Sequence, residues 1–100
     1  MRMIMEVSIP NEPFNGMVRD GSVGKAIQKA LEATKPQSVY FTEINGQRGG
    51  ILIVDVKDPS AIPGLAEPWY LSFNAAIKFR IAMTPEDLGK SGIEQLGKNW

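Results

Sequence analysis

Few residues of this chain suit acid–base chemistry, and the best placed are Glu43 and Arg48. Asn45-Gly46 separates two strand-like runs, and Asn-Gly favours the type I′ turn of a two-residue hairpin. Such a turn places Glu43 directly opposite Arg48 on the neighbouring strand. The pair is either a carboxylate oriented by an arginine at the mouth of a ligand pocket, or a partly solvated ion pair worth about 0–1 kcal/mol. Structural ion pairs are the commoner case.

Four other side chains are candidates for contact with a ligand. Tyr40 could donate a hydrogen bond to a substrate or pack in a subunit interface. Trp69 and Tyr70, which follow Pro68, could form an aromatic lid over a planar ligand or cover the open end of a small core. Asn74 either lines the same end or serves the turn into the last strand. For the three aromatic residues, the packing role is favoured.

The composition removes several classes of chemistry. The 100 residues include no Cys and no His. Disulfides, Fe–S clusters, thiolate nucleophiles, His relays and Cys or His metal sites are therefore excluded. Asp, Glu, Tyr and Lys remain as acids or bases, and each needs a shifted pKa to work near neutral pH. We expect no metal and no cofactor, and the sequence does not decide whether the protein is an enzyme.

Charge and hydropathy limit the partners. Lys and Arg total 11, as do Asp and Glu, so the net charge is zero. Nonspecific electrostatic binding to nucleic acid or to an anionic membrane is therefore not expected. No apolar run approaches the roughly 20 residues of a spanning helix, and the apolar stretch before Glu6 is too short for a signal peptide. The sequence predicts a cytoplasmic protein with neither nucleic acid nor membrane as partner.

The periodicity predicts one domain over residues 1–100 with the order β-α-β-β-α-β and an extra C-terminal helix. The predicted elements are a strand over 1–9, a helical region over 14–34 broken near 20–22, a hairpin over 38–56, a helix from 59 interrupted by Pro63 and Pro68, a strand over 75–83 and a helix over about 85–98. Asn15 and Asp20-Gly21 are interpreted as cap and turn residues, with Ser22 or Asp20 capping the second part. We expect an α+β, ferredoxin-like fold with a four-stranded antiparallel sheet in the order 4-1-3-2.

Alternate strand positions divide the predicted sheet into two unlike faces. One face is almost wholly apolar and should lie under the helices: Met3, Met5, Val7, Val39, Phe41, Leu52, Val54, Ile77, Phe79, Ile81. The other mixes apolar and charged residues: Ile4, Glu6, Tyr40, Thr42, Ile51, Ile53, Asp55, Lys78, Arg80. This mixture is too apolar for water and too charged for a core, which predicts a homodimer closed through the sheet face. We expect Glu6 to lie between Asp55 and the Lys78/Arg80 pair.

The C-terminal segment begins with a strong helix start. Thr84 is a hydroxyl cap, Pro85 occupies the first helical position, and Asp87 supplies an acid at the third. The apolar stripe of this helix is expected at Leu88, Ile93, Leu96 and Trp100. Such a stripe needs a neighbour, which is either the partner subunit or the pocket of the same chain.

Three segments carry a likeness to a known superfamily: 48–59 (RGGILIVDVKDP), 65–69 (LAEPW) and 83–88 (MTPEDL). This pattern resembles small bacterial proteins of the dimeric α+β barrel superfamily that are related to muconolactone isomerase. The resemblance implies a ferredoxin-like subunit, two sheets packed face to face in a dimer, and a ligand pocket between sheet and helices. The isomerase's catalytic residues have no matching positions in this chain, so isomerase activity is not implied.

Two functions follow as expectations. The first is a metal-independent enzyme or binder of a small apolar, aromatic or lactone-like molecule, which the Glu43/Arg48 pair and the aromatic residues favour. The second is a non-catalytic dimerisation or protein-interaction module, which the absence of Cys and His favours. A fold of this class does not choose between them.

Overall fold

A computed structural model of the chain describes all residues from 1 to 100. Four strands and five helices follow one another along the chain. They are β1 (Arg2–Ile9), α1 (Asn11–Asp20), α2 (Val23–Thr34), β2 (Ser38–Ile44), β3 (Gln47–Asp55), α3 (Ile62–Phe73), β4 (Ala76–Ile81), α4 (Pro85–Lys90) and α5 (Ile93–Gly97), with a 3-10 turn over Pro59–Ala61 before α3.

The sheet is antiparallel throughout, with the strand order β2-β3-β1-β4. This is the predicted order, and with the order of elements it is compatible with a ferredoxin-like fold. The predicted hairpin is confirmed: Asn45 and Gly46 have φ values of 53° and 80°, and Glu43 lies opposite Arg48. On the other side of β3, Arg48 lies opposite Ile9, the last residue of β1. Arg48 therefore lies where β1 ends and the chain turns into α1.

The helices α1, α2 and α3 cover one face of the sheet, and the core lies between the two layers. β1 shows the reason, because its alternate residues Met3, Met5, Val7 and Ile9 are buried while those between them are only partly so. A strand turns successive side chains to opposite faces, so a single run of alternating apolar residues supplies one side of a core. The core cluster includes these four with Ala30, Leu52, Val54, Val56, Trp69, Phe73 and Ala75.

The predicted break in the first helical region is confirmed, but its predicted cap does not form. Gly21 has φ 82°, a left-handed conformation that favours glycine, and it ends α1. Ser22 occupies the N-cap position of α2, but its side chain makes no capping hydrogen bond. Instead its N–H donates to the Asp20 carboxylate at 2.9 Å. The Ser22 hydrogen bonds lower the pKa of Asp20 below its ordinary value.

The predicted interruption of α3 is wrong, because the helix is continuous from Ile62 to Phe73. Pro63 lies in the first turn, where its missing N–H has no helical partner to lose. Pro68 lies inside the helix. Its missing N–H would have bonded the carbonyl of Gly64, which is an exposed residue, so water can take that place. Asp58 caps the preceding 3-10 turn by accepting from the Ser60 N–H at 2.9 Å, as its position before Pro59 indicates.

The last segment leaves the body of the molecule, and we call residues 84–100 the arm. The predicted capping box of Thr84 and Asp87 is confirmed, but the single helix over about 85–98 is wrong. Gly92, with φ 72°, separates α4 from α5. Every residue from 85 to 100 is exposed, so the arm covers no pocket of its own chain. No helix combines the length and the low polarity that crossing a bilayer requires.

The arm makes the chain elongated. The Cα radius of gyration is 16.8 Å and the extents are 60 × 28 × 18 Å, whereas a compact domain of this length has a radius of gyration of about 13 Å.

Candidate functional site

The hairpin brings Glu43 and Arg48 opposite each other, but their side chains do not pair. The Glu43 carboxylate accepts from the backbone N–H of Gly46 at 2.7 Å. Arg48 instead donates from Nη1 to the side-chain oxygen of Asn15 at 2.6 Å. Its guanidinium also lies over the ring of Phe14, with Cζ 4.6 Å from the ring centroid. The predicted ion pair is therefore wrong, and Arg48 does not orient the Glu43 carboxylate.

Two local contacts explain why the expected pair is absent. Glu43 lies three residues before Gly46, so its carboxylate reaches the Gly46 N–H in the turn. The Arg48 side chain points towards α1 and is not a competing partner. Arg48 faces the helices, where α1 offers both an amide oxygen and an aromatic face. A cation over a ring contributes about 0.5–1 kcal/mol at an exposed site, which is comparable with an exposed ion pair, and the Asn15 hydrogen bond adds to it. The two charges therefore have better partners apart than together.

A cavity of about 210 Å³ opens beside Arg48, between the first two helices and the hairpin end of the sheet. It is lined by Ile9, Phe14, Ile27, Phe41, Thr42, Arg48 and Gly49. We call it the Arg48 cavity. Its lining surface is almost wholly apolar, and Arg48 is the one charged residue among those that line it. A cavity of about 150 Å³ in another protein binds benzene, so this volume suits a single ring with a short substituent.

The aromatic walls of the Arg48 cavity are fixed by neighbouring elements. Phe14 lies with its ring centroid 5.7 Å from that of Phe73, which is fully buried, so α1 is anchored to the core through its cavity-lining ring. Phe41 lies opposite Gly50 in the β2–β3 register. The Phe41 ring lies beside Gly50, with ring atoms 3.4–3.5 Å from where a Cβ of that residue would lie.

Trp69 and Tyr70 do not form a common surface. Trp69 is 0% exposed and lies in the core, with its ring centroid 5.7 Å from that of Phe73. Its indole N–H is buried without a hydrogen-bond partner. Tyr70 is the next residue of α3 and points elsewhere, 39% exposed. Successive helical residues are about 100° apart around the axis, which is why adjacent aromatic residues cannot share one lid here.

The remaining candidates are also dispersed. Asn74 has φ 55° and ends α3, and its N–H donates to the carbonyl of Tyr70 at 2.9 Å. This places Asn74 in the turn before β4. Tyr40 is 67% exposed on the sheet face that the helices leave open. Of the six predicted site residues, only Arg48 lines the Arg48 cavity.

Asn15 and Phe14 are the partners of Arg48, and neither was predicted from the sequence in that role. Asn15 was interpreted as a cap, and 33 residues separate it from Arg48. A usable signal was present in the strand pairing. Ile9 ends β1 opposite Arg48, so the helix that starts two residues later must pass close to that arginine.

Four larger hollows lie elsewhere and contain none of the predicted site residues; two are of about 240 Å³ each, and the remaining two are larger still. One of about 390 Å³ lies on the outside of the helix layer between α2 and α3, beside Lys29, Glu67 and Leu71. The other, of about 450 Å³, lies beside Val56 and Asp58. No cluster of three or more carboxylates is arranged to hold a metal ion. Of these hollows, the Arg48 cavity combines aromatic walls with a single oriented charge.

The open face of the sheet has the mixed character that the alternation predicts. No side chain on it is buried, since the helices lie on the other side. The Glu6 carboxylate is 3.5 Å from the Arg80 guanidinium, so charges are neutralised across strands as expected. The expected proximity of Glu6 to Asp55 is wrong, because Asp55 pairs with Arg2 and Glu6 pairs with Ile51 in the register.

No protein-family model matches this chain, and no curated protein matches it either. The resemblance to dimeric α+β barrel proteins therefore stays a prediction.

Proposed function

We propose that the protein binds a small apolar, aromatic or lactone-like molecule in the Arg48 cavity, and that it does so as a homodimer. The observation that carries the proposal is the Arg48 cavity itself. It lies between the helices and the sheet, it is walled by the rings of Phe14 and Phe41, and it has the volume of a substituted ring.

The lining favours binding over acid–base catalysis. Thr42 and Arg48 are the only lining residues with polar side chains. Neither is a general base near neutral pH without a further group to activate it. The nearest carboxylate in the strand register, Glu43, is bonded to the Gly46 N–H. A reaction at this site would need a reactive substrate, whereas simple binding needs only the walls and the charge that are present.

The homodimer is proposed from the open sheet face. Ile4, Ile51 and Ile53 lie side by side across β1 and β3 and are only partly buried. Tyr40 extends the apolar area onto β2, opposite Ile51. The Glu6–Arg80 pair already neutralises its own charge, so a second sheet can pack over it without an unpaired ion. Two such faces packed together give the arrangement that the sequence resemblance implies.

A ligand titration with two matched variants tests the binding proposal. Ile27→Phe adds volume inside the Arg48 cavity, whereas Val18→Phe adds the same kind of ring on the exposed side of α1, outside the lining. A thermal-shift screen with small aromatic acids, amides and lactones should find compounds that stabilise the wild type and Val18→Phe but not Ile27→Phe. If Ile27→Phe fails to fold, Phe41→Ala, which removes an exposed wall, provides the same test. Equal stabilisation of all variants would place binding elsewhere.

The alternative function is a dimerisation or protein-interaction module without a small ligand, and the arm favours it. Leu88, Ile93 and Leu96 are 44–55% exposed, so the arm presents apolar side chains that its own chain does not cover. Under this alternative, no small molecule in the screen would stabilise the protein. Deleting residues 85–100 would then abolish the interaction that defines the function.

A further inference from the structure

We propose that the ligand of the Arg48 cavity is a small organic carboxylate, with its apolar part between the rings and its carboxylate on the Arg48 guanidinium. This inference rests on the proposed binding function and adds the chemical class of the ligand. It follows from how Arg48 is held.

Arg48 has no acidic partner within the chain. The ion pairs of the molecule involve other cations, including Arg19 with Glu12 and Arg80 with Glu6, and no carboxylate lies within 4 Å of Arg48. The carboxylate placed opposite it by the hairpin, that of Glu43, is bonded to the turn instead. The charge of Arg48 is therefore available to an anion that enters the cavity.

The guanidinium of Arg48 is already oriented. Asn15 accepts one of its N–H bonds at 2.6 Å, and Phe14 supports one side of its plane at 4.6 Å. A guanidinium has five N–H donors, so several remain after the bond to Asn15. Two donors in a fixed plane match the two oxygens of a carboxylate. Orientation before binding lowers the entropy lost when the ligand arrives.

The rest of the lining argues against a cationic ligand and against a fully polar one. Arg48 is the only charged residue among those that line the cavity, and no acidic group would attract a cation. The apolar walls are continuous with Ile9 of the core, which favours a ligand with a hydrocarbon body. A ring or a short alkyl chain that ends in a carboxylate satisfies both requirements, so aromatic acids and short fatty acids share the chemistry.

Calorimetric titration with two probes of the same shape tests the inference. Phenylacetate and phenylacetamide differ in the charged group alone, and hexanoate replaces the ring by a chain. We expect the wild type to bind phenylacetate about tenfold more tightly than phenylacetamide, the lower end of the effect of a hydrogen bond to a charged group. The preference should weaken with added salt, since Arg48 is exposed. Tighter binding of phenylacetate than of hexanoate would assign the aromatic class, and the reverse would assign the aliphatic one.

Matched variants distinguish this inference from the binding proposal. Arg48→Gln should bind acid and amide alike, whereas Arg19→Gln, which removes an exposed arginine outside the cavity, should keep the preference for the acid. Asn15→Ala should lower the affinity for phenylacetate and leave that for phenylacetamide unchanged, since Asn15 acts by positioning Arg48. Equal affinity of the wild type for acid and amide would overturn the carboxylate and leave the binding proposal standing. Binding of neither at millimolar concentration would overturn both.

Discussion

The two faces of one sheet differ more than any other two regions of this molecule. Leu52 and Ile53 are neighbours in β3 with isomeric side chains, yet Leu52 is 0% exposed beneath the helices while Ile53 lies on the open face and is only partly covered. The helices α1 to α3 pack on one side, where central side chains such as Met5 and Leu52 are fully buried although Phe41 and Ile81 near the edges stay exposed, whereas no side chain on the other side is buried. One face therefore supplies the core of the chain, whereas the other keeps apolar surface that the chain itself leaves uncovered.

The largest effect on the free energy of unfolding is expected at Leu52, whose neighbour Ile53 on the opposite face provides the comparison. Leu52→Ala removes a fully buried side chain and should cost about 2–5 kcal/mol of the free energy of unfolding, at every protein concentration. Ile53→Ala should cost less in the monomer and should act mainly by weakening the dimer. Chemical denaturation at several protein concentrations measures both variants. Equal, concentration-independent losses would show that the faces do not divide folding from association.

The second prediction compares two adjacent glycines that face opposite sides of β3. A Cβ on Gly49 would lie 2.7 Å from the carbonyl oxygen of Val7, a backbone atom that cannot move away easily. Gly49→Ala should therefore destabilise the protein by about 1–3 kcal/mol. Gly50→Ala is the matched control, because its Cβ would make ordinary contacts of 3.4–3.5 Å with Phe41 and Leu52. Similar melting temperatures for the two variants would contradict this reading of the hairpin.

The third prediction concerns the arm, which belongs to neither face. Deletion of residues 85–100 removes no buried residue, so the unfolding free energy of the monomer should stay within about 0.5 kcal/mol of the wild type. If the arm packs on a partner, the same deletion should lower dimer affinity severalfold in sedimentation velocity. A large loss of monomer stability would mean that the arm supports its own chain.

The smallest effect is expected at the start of the arm and depends on pH. The N–H and then the hydroxyl of Thr84 hold the pKa of the Asp87 carboxyl below its usual value. A carboxyl with a lowered pKa in the folded state stabilises α4 above the pKa it has when unfolded, and this contribution is lost as the pH falls through the folded value. The NMR shift of the Thr84 amide should follow this acid titration. Thr84→Ala should raise the midpoint, and an unchanged midpoint would contradict the capping box.

The strand pattern allowed most of the fold to be predicted. The alternation of β1 and the Asn45-Gly46 turn depend on local chemistry, and strand order follows from them with few alternatives. The errors arose where tertiary surroundings outweigh a local signal. Pro68 is tolerated inside α3 because the lost bond faces water, and Gly92 divides the arm at a position that the apolar spacing alone does not reveal.

The candidate site was predicted less well, for a physical reason. The register does place Glu43 opposite Arg48. Strand register sets which backbone positions face each other, but it does not determine which groups the side chains bind. Arg48 bonds to Asn15 from α1, and that contact depends on how the helix packs against the hairpin end. Trp69 and Tyr70 looked like one aromatic feature in the sequence, but helical geometry turns one into the core and the other to solvent.

The mass of the protein in solution tests whether the open face forms a dimer interface while the helix-covered face forms the core. Light scattering at micromolar concentration should give twice the 11.0 kDa of one chain for the wild type, and Ile53→Lys on the open face should return the mass to that of one chain without unfolding it. A wild-type mass of one chain at that concentration would contradict dimerisation through the open face.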